Sequence, residues 1–289
     1  MINRISIGSA QFGMIYGIKN TVGKVSIDEV LKILNKANSL GITNIDSAIG
    51  YGESHKLLGQ IGVSQWNITT KIEKFHNYNN ISEEINLSIS KILDDLKVQN
   101  IYGLILHNAY QLTEPEFAGK IISNLERLKS EGVVKKIGIS IYDPDLLDKI
   151  ENTINHFDIV QAPLNIIDRR LLQSGWLTKL KTSAIEIQIR SIFLQGLLLM
   201  NYESQLKKFN QWRRLWLKWN NWLKQNKISP QEACINFVKS INNIDKIIIG
   251  FDSYEQFEDI INIFSYKKIN YPNDIISNDT NLINPYLWK

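Results

Sequence analysis

The chain has 289 residues, 44% hydrophobic, 10% aromatic and 21% charged, which excludes a disordered polypeptide and leaves one large α/β barrel or two ordinary domains. Its 33 Lys plus Arg against 29 Asp plus Glu give a formal net charge of +4, spread along the chain instead of gathered in a tract, so nucleic acid is not an expected partner. A lone cysteine, Cys234, excludes an intramolecular disulfide and a Cys-based metal site; with no signal-peptide core and no apolar run near 18 residues, a soluble cytoplasmic protein without metal or membrane partner is expected.

In chain order, short β-branched or apolar runs alternate with longer segments of helical period. Residues 4–10 read as a strand, and Ser26-Ile27-Asp28-Glu29 is a capping-box pattern opening a helix that Gly41 stops. A second strand, 43–48, runs into Gly50-Tyr51-Gly52 and a helix-like segment; a third, 67–72, is followed by Ser82, a second candidate N-cap. Strands at 102–107, 135–140, 158–163 and 185–191 alternate with helical segments at 116–132, 143–153 and 168–181. Two helices, 203–225 and 229–241, precede the last strand, 246–251, and a final helix covers 253–264. Trp212, Trp216 and Trp219 fall on one helical face and are expected to pack against the barrel.

Eight nearly continuous apolar strands, each followed by a helix, predict a parallel sheet closed into a (β/α)8 TIM barrel, with residues 1–289 as a single domain. A doubly wound sheet would need a phosphate-binding glycine fingerprint after the first strand, and Gly8, Gly13 and Gly17 do not form one. In a barrel of this kind the chemistry sits at the C-terminal strand ends and in the loops that follow. Asp46, Lys71 and His107 occupy such ends and Tyr51 the loop after the second strand, so four polar side chains are expected on one rim. A phenol, with an ordinary pKa of about 10, is a weak acid; a lysine beside it, oriented by a carboxylate, would lower that value, and a neutral histidine would donate to a carbonyl oxygen.

The motifs "DSAIGYG", "TKI" and "ILHN", in this order, resemble the signature of the aldo-keto reductase superfamily, and the resemblance spans essentially the whole chain. It implies a metal-free (β/α)8 barrel that uses NADP(H), less often NAD(H), with Asp46, Tyr51, Lys71 and His107 as the catalytic tetrad and Tyr51 as general acid. It further implies that Ser140 and Gln161 hold the nicotinamide carboxamide, although Ile141 stands where the family usually has Asn. After the seventh strand, Arg190 replaces the usual stacking aromatic ahead of Ser191 and Gly196, and would stack on the nicotinamide or grip an anionic substrate. After the eighth, Gly250, Ser253 and Gln256 match the segment around the adenosine phosphate. Asp252 stands there without the usual basic residue, and Ile260 replaces the motif's Asn. The family tips the expectation to NADP(H), while Asp252, able to accept from a free 2′-hydroxyl, raises NAD(H) as the alternative.

The expected function is therefore NAD(P)H-dependent reduction of an aldehyde or ketone by a monomer or small homo-oligomer. "RSIFLQGLLLM" at 190–200 resembles a branch found among bacterial surface-sugar enzymes, which implies a sugar-derived carbonyl. Two alternatives remain open: a barrel aldolase or lyase forming a Schiff base on Lys71, and a cofactor-sensing regulatory subunit with little turnover.

Overall fold

The computed structural model describes residues 2–201, 203, 207–263 and 269–288. Eight parallel strands, β1 (Ile5–Gly8), β2 (Asn44–Asp46), β3 (Asn67–Ile72), β4 (Ile101–Leu106), β5 (Val134–Ser140), β6 (Ile159–Pro163), β7 (Glu186–Arg190) and β8 (Lys246–Gly250), close on one another in sequence order, as the (β/α)8 reading expects. The seam pairs Gly8 of β1 with Gly250 of β8. Predicted strand limits agree within two residues, and for β3 they coincide.

The helices are α1 (Ala10–Gly13), α2 (Ile27–Ser39), α3 (Ser54–Ile61), α4 (Ile81–Leu96), α5 (Pro115–Ser130), α6 (Asp145–Lys149), α7 (Arg170–Gln173), α8 (Trp176–Thr182), α9 (Arg213–Asn226), α10 (Pro230–Lys239), α11 (Tyr254–Ile263) and α12 (Thr280–Ile283). Ser26 caps α2 by accepting from the Glu29 amide, but the Glu29 carboxylate turns away to accept from the Tyr254 amide, so only half the predicted box forms. The reciprocal box is at Ser229 and Glu232, opening α10. Ser82 is not a cap, because α4 begins at Ile81, whose side chain is buried and pulls the first turn onto the barrel. The helix expected over 168–181 is two, since Gly175 adopts φ 79° between α7 and α8. The starts and ends expected at 203 and 264 border residues outside those described.

Helices and strands share one apolar layer in which Ile5, Ile7, Ile187, Ile189 and Ile247 are wholly buried, each contributing roughly 1.5–3 kcal/mol relative to exposure. Trp216 and Trp219 sink into this layer with their indole N–H groups donating to Phe209 O and Leu198 O. Trp212 precedes α9 and donates to Asp279. Cys234 is buried. Along the strands the period of two places Asp46, Lys71, Gln161, Glu186 and Gln188, all buried, on the face opposite that apolar layer. Gln161 on β6 donates to Asp46 on β2, across the lumen between strands that are not neighbours, so this polar row fills the barrel interior.

Histidine 55 shows how a buried polar residue is paired in the outer layer. On α3, its Nε2 meets Thr70 Oγ1 at 2.8 Å, and burial pushes its pKa down to about 4. The unfolded chain takes up that proton below pH 6.5 and the fold only near 4, so stability present at neutral pH is lost as the pH falls through this window. The loss attributable to His55 is roughly 3 kcal/mol at its limit. His55→Gln, which can keep a bond to Thr70, is expected to flatten the difference in urea-unfolding free energy between pH 7 and pH 4.5; an unchanged difference would remove His55 as its source.

Candidate active site

The Tyr51 loop is built by close approach of two glycines. A Cβ at Gly13 would strike the Tyr51 carbonyl and the Ser54 amide, and Gly52, at φ 58°, packs against Gly13 O. The Glu53 amide donates to Gly13 O, and buried hydroxyls of Ser9, Ser47 and Ser54 bond one another beneath. The Ile49 amide donates to Lys71 O and the Ser47 amide to Thr69 O, which extends the β2–β3 ladder beyond the strand. Tyr51 is thereby set above the end of β3.

Lys71 is 1% exposed and its three N–H groups are all taken: Asp46 Oδ1 and Oδ2, both at 2.7 Å, and Ser47 O at 3.0 Å. Burial pulls its pKa below the ordinary lysine value, opposed by the Asp46 carboxylate. The ammonium lies 5.2 Å from the centroid of the Tyr51 ring, and no hydrogen bond to the Tyr51 hydroxyl forms among the described residues.

The expected lowering of the Tyr51 pKa is reversed. Burial raises it well above the ordinary tyrosine value, and the Asp46 charge adds to the rise; Arg190 is the cation that opposes it. The chief physical reason is burial, and the cation expected to oppose it is cancelled: both oxygens of Asp46 cover Lys71, so the pair offers the phenol little net positive charge. Tyr51 is neutral across the physiological range and carries its proton.

His107 follows β4, and its Nδ1 lies 3.2 Å from Glu73 Oε1. Glu73, two residues past Lys71 on the same side of the chain, is held below the usual carboxylate range chiefly by that bond, so it is ionised and can only accept. His107 Nδ1 must therefore carry a proton, and a neutral ring presents a bare Nε2. The neutral donor expected from the sequence would need the other tautomer and the loss of this contact.

Two cavities meet at this rim. One is a groove from β1 to β8, walled by Gln11, Lys19, Ser191, Gly196, Asp252 and Gln256 among others, and it reaches Tyr51. The other contains Tyr51, Lys71, Glu73, His107, Tyr142 and Tyr286. Arg190 borders both. Its guanidinium lies 4.0 Å over the Tyr142 ring and donates to Ile141 O and Ser191 Oγ, and it forms no ion pair among the described residues. Ser191, Leu194 and Gln195 hold positive φ in the turn after β7, where the Ile18 amide reaches Gln195 O and brings the β1 loop to the groove.

The remaining expected residues divide. Gly250 and Gln256 line the groove. Ser253 does not: its hydroxyl accepts from the Gln256 amide at the start of α11, and Gln256 Oε1 accepts from the Asp252 amide. Ser140 and Gln161 are buried, and Ser140 Oγ and Gln161 Oε1 have no hydrogen-bond partner. An unpaired hydroxyl and an unpaired amide oxygen suit the carboxamide of a nicotinamide, which both donates and accepts. Asn165 serves its own loop, donating to Ser191 O and accepting from the amides of Ile167 and Asp168. Glu73, Tyr142 and Tyr286 were not singled out from the sequence. Glu73 shares Lys71's face by the strand period, a signal that could have found it; Tyr286, near the C-terminus, has none.

The Aldo/keto reductase family profile matches residues 4–276. No curated protein sequence matches the chain. Among solved structures, the aldo-keto reductase AKR11C1 from Bacillus halodurans, in holo form, superposes at TM-score 0.72 with 17% identity over 92% of this chain and 88% of that one. The glycerol dehydrogenase AKR11B4 from Gluconobacter oxydans gives TM-score 0.69 at 17% identity, again over 92% and 88%. At such identity these structures speak for the fold, and the profile for the family. With its matched span covering nearly all of the closed barrel and its rim, this chain belongs to the aldo/keto reductase family.

Proposed function

We propose that the protein reduces an aldehyde or ketone to an alcohol with NAD(P)H, Tyr51 supplying the proton to the carbonyl oxygen. The observation that carries the reading is the protonated Tyr51 beside the Asp46–Lys71 pair, at the junction of a long groove and a second, aromatic cavity. Ser140 and Gln161 would hold the nicotinamide carboxamide, and Gly196, Gly250 and Gln256 the rest of the dinucleotide. Bound there, the reduced nicotinamide supplies hydride; every proton movement belongs to the chain. As the Tyr51 proton leaves, Arg190 is the uncompensated cation that faces the new charge, and His107 lines the same cavity, where it would orient the carbonyl. A Schiff-base role for Lys71 is disfavoured, because each of its three donors is bound and the side chain is closed to solvent.

Arg190, unpaired by any carboxylate among the described residues, also supports an anionic group on the substrate, and the hydroxyls of Tyr142 and Tyr286 suit a polyhydroxylated, sugar-derived carbonyl. For the cofactor, NADP(H) is the family expectation, and one observation favours NAD(H): half-buried Asp252 lines the groove, bonded by Asn20. Its pKa is raised by burial, and Lys19 on the same groove is the cation that opposes the rise. Titrating the tryptophan fluorescence with NADPH and with NADH tests both levels. Quenching by either supports the reading, and its absence with both overturns it. If Asp252 decides, NADH binds about tenfold tighter, roughly the effect of one charged contact, and Asp252→Ser narrows the gap.

A further inference from the structure

The barrel interior holds a chain of hydrogen bonds whose direction is set at its lower end. Glu186, the first residue of β7, accepts from Tyr102 Oη at 2.5 Å, Lys136 Nζ at 2.6 Å and Gln188 Nε2 at 2.9 Å. Burial would raise this carboxyl, but the Lys136 and Tyr102 donors outweigh it and hold Glu186 below the usual range, hence ionised. An ionised carboxylate only accepts, so Gln188 must present its NH2 group to it. That turns Gln188 Oε1 upward, 3.2 Å from Gln161 Nε2, its register partner on β6. The second N–H of Gln161 goes to Asp46 Oδ1 at 2.8 Å. Both donors of Gln161 are thus engaged, and the oxygen left over is the buried atom without a partner. With the amide reversed, its oxygen would face two acceptors. One end of the relay is a salt-bridged carboxylate at the base of the barrel, the other an amide oxygen beside the catalytic pair.

We propose that Gln188 is a positioning residue: with its own amide aligned by Glu186, it locks Gln161 so that Oε1 accepts from the NH2 of the nicotinamide carboxamide. This rests on the dinucleotide reading above, and it assigns to Glu186 and Gln188, which like Gln161 lie buried beneath the two cavities' linings, control over how the cofactor's amide is recognised. The same relay presents an N–H to Asp46, so the oxygen that holds Lys71 and the oxygen that awaits the carboxamide are oriented together.

The test compares three probes by calorimetry: the oxidised dinucleotide, in whichever of its NAD or NADP forms binds more tightly; its 3-acetylpyridine analogue, in which a methyl replaces the amide NH2; and the matching ADP-ribose without the ring. Wild type is expected to prefer the carboxamide by about tenfold, the ordinary effect of one buried hydrogen bond. Gln188→Met, of similar shape but unable to accept, should bring that ratio close to one while leaving ADP-ribose affinity unchanged. Gln188→Glu, protonated toward Glu186, still accepts from Gln161 and should restore the preference. A Gln188→Met protein with native circular dichroism and an intact ratio overturns the proposal, as does a wild type indifferent to the amide. Should Gln188→Met not fold, Glu186→Gln removes the obligate acceptor and is expected to reduce the ratio; a full ratio there overturns the proposal equally. If wild type binds neither dinucleotide nor ADP-ribose, the reading under Proposed function fails instead.

Discussion

Tyr51→Phe is expected to lower kcat for carbonyl reduction by about 10²–10⁴, the usual range for loss of a positioned acid, while the Kd for cofactor changes little. The phenylalanine keeps the ring that faces the Lys71 ammonium at 5.2 Å and removes only the hydroxyl, which bonds nothing among the described residues. Folding should therefore be untouched, and the whole effect should sit in turnover. The raised pKa adds a sign to the experiment: Tyr51 keeps its proton as the medium becomes alkaline, so no loss of reduction rate should trace to its ionisation below pH ~10. A Tyr51→Phe enzyme with wild-type kcat on the same substrate would strike out the assigned acid. An alkaline limb below pH ~10 that disappears in Tyr51→Phe would show instead that the tyrosine ionises early.

Breaking the Asp46–Lys71 pair should cost both stability and activity, and the two losses should separate in a double replacement. Both side chains are almost wholly buried, with Lys71 Nζ 2.7 Å from each carboxylate oxygen. Asp46→Asn strands an ammonium and Lys71→Met a carboxylate, each at about 3–5 kcal/mol. In the Asp46→Leu/Lys71→Met protein no charge is left unpaired, so its urea midpoint should lie well above the sum of two single losses. Its turnover should remain as low as that of either single variant, since the apolar pair no longer holds Ser47 O and with it the loop that sets Tyr51. Additive stability losses would mean that the two charges are not each other's compensation. The Asn variant also tests the relay, because the Asp46 oxygen takes the second N–H of Gln161.

Much of the architecture was legible one segment at a time. The pattern of β3 is complete in "NITTKI", and the alternation of eight such runs with helical segments leads to the closed barrel, because parallel strands need helical crossovers. Asp46, Tyr51, Lys71 and His107 could be placed on one rim for the same reason: strand ends in this topology share a face. Ser82 misled because a serine ahead of an apolar run satisfies the local rule for a cap, while the start of α4 follows the burial of Ile81.

Local pattern establishes which residue types stand at the strand ends and how often the chain crosses the barrel, because periodicity and turn chemistry act over a few residues. What it could not reach are quantities set by groups distant in the chain. The Tyr51 proton is held by burial and by a carboxylate that cancels the lysine; the His107 tautomer follows from Glu73, 34 positions away; the unpaired atom of Gln161 follows from residues on two other strands. Electrostatics and hydrogen bonding depend on distance in space and on exclusion of water, and both come into being only when the barrel closes.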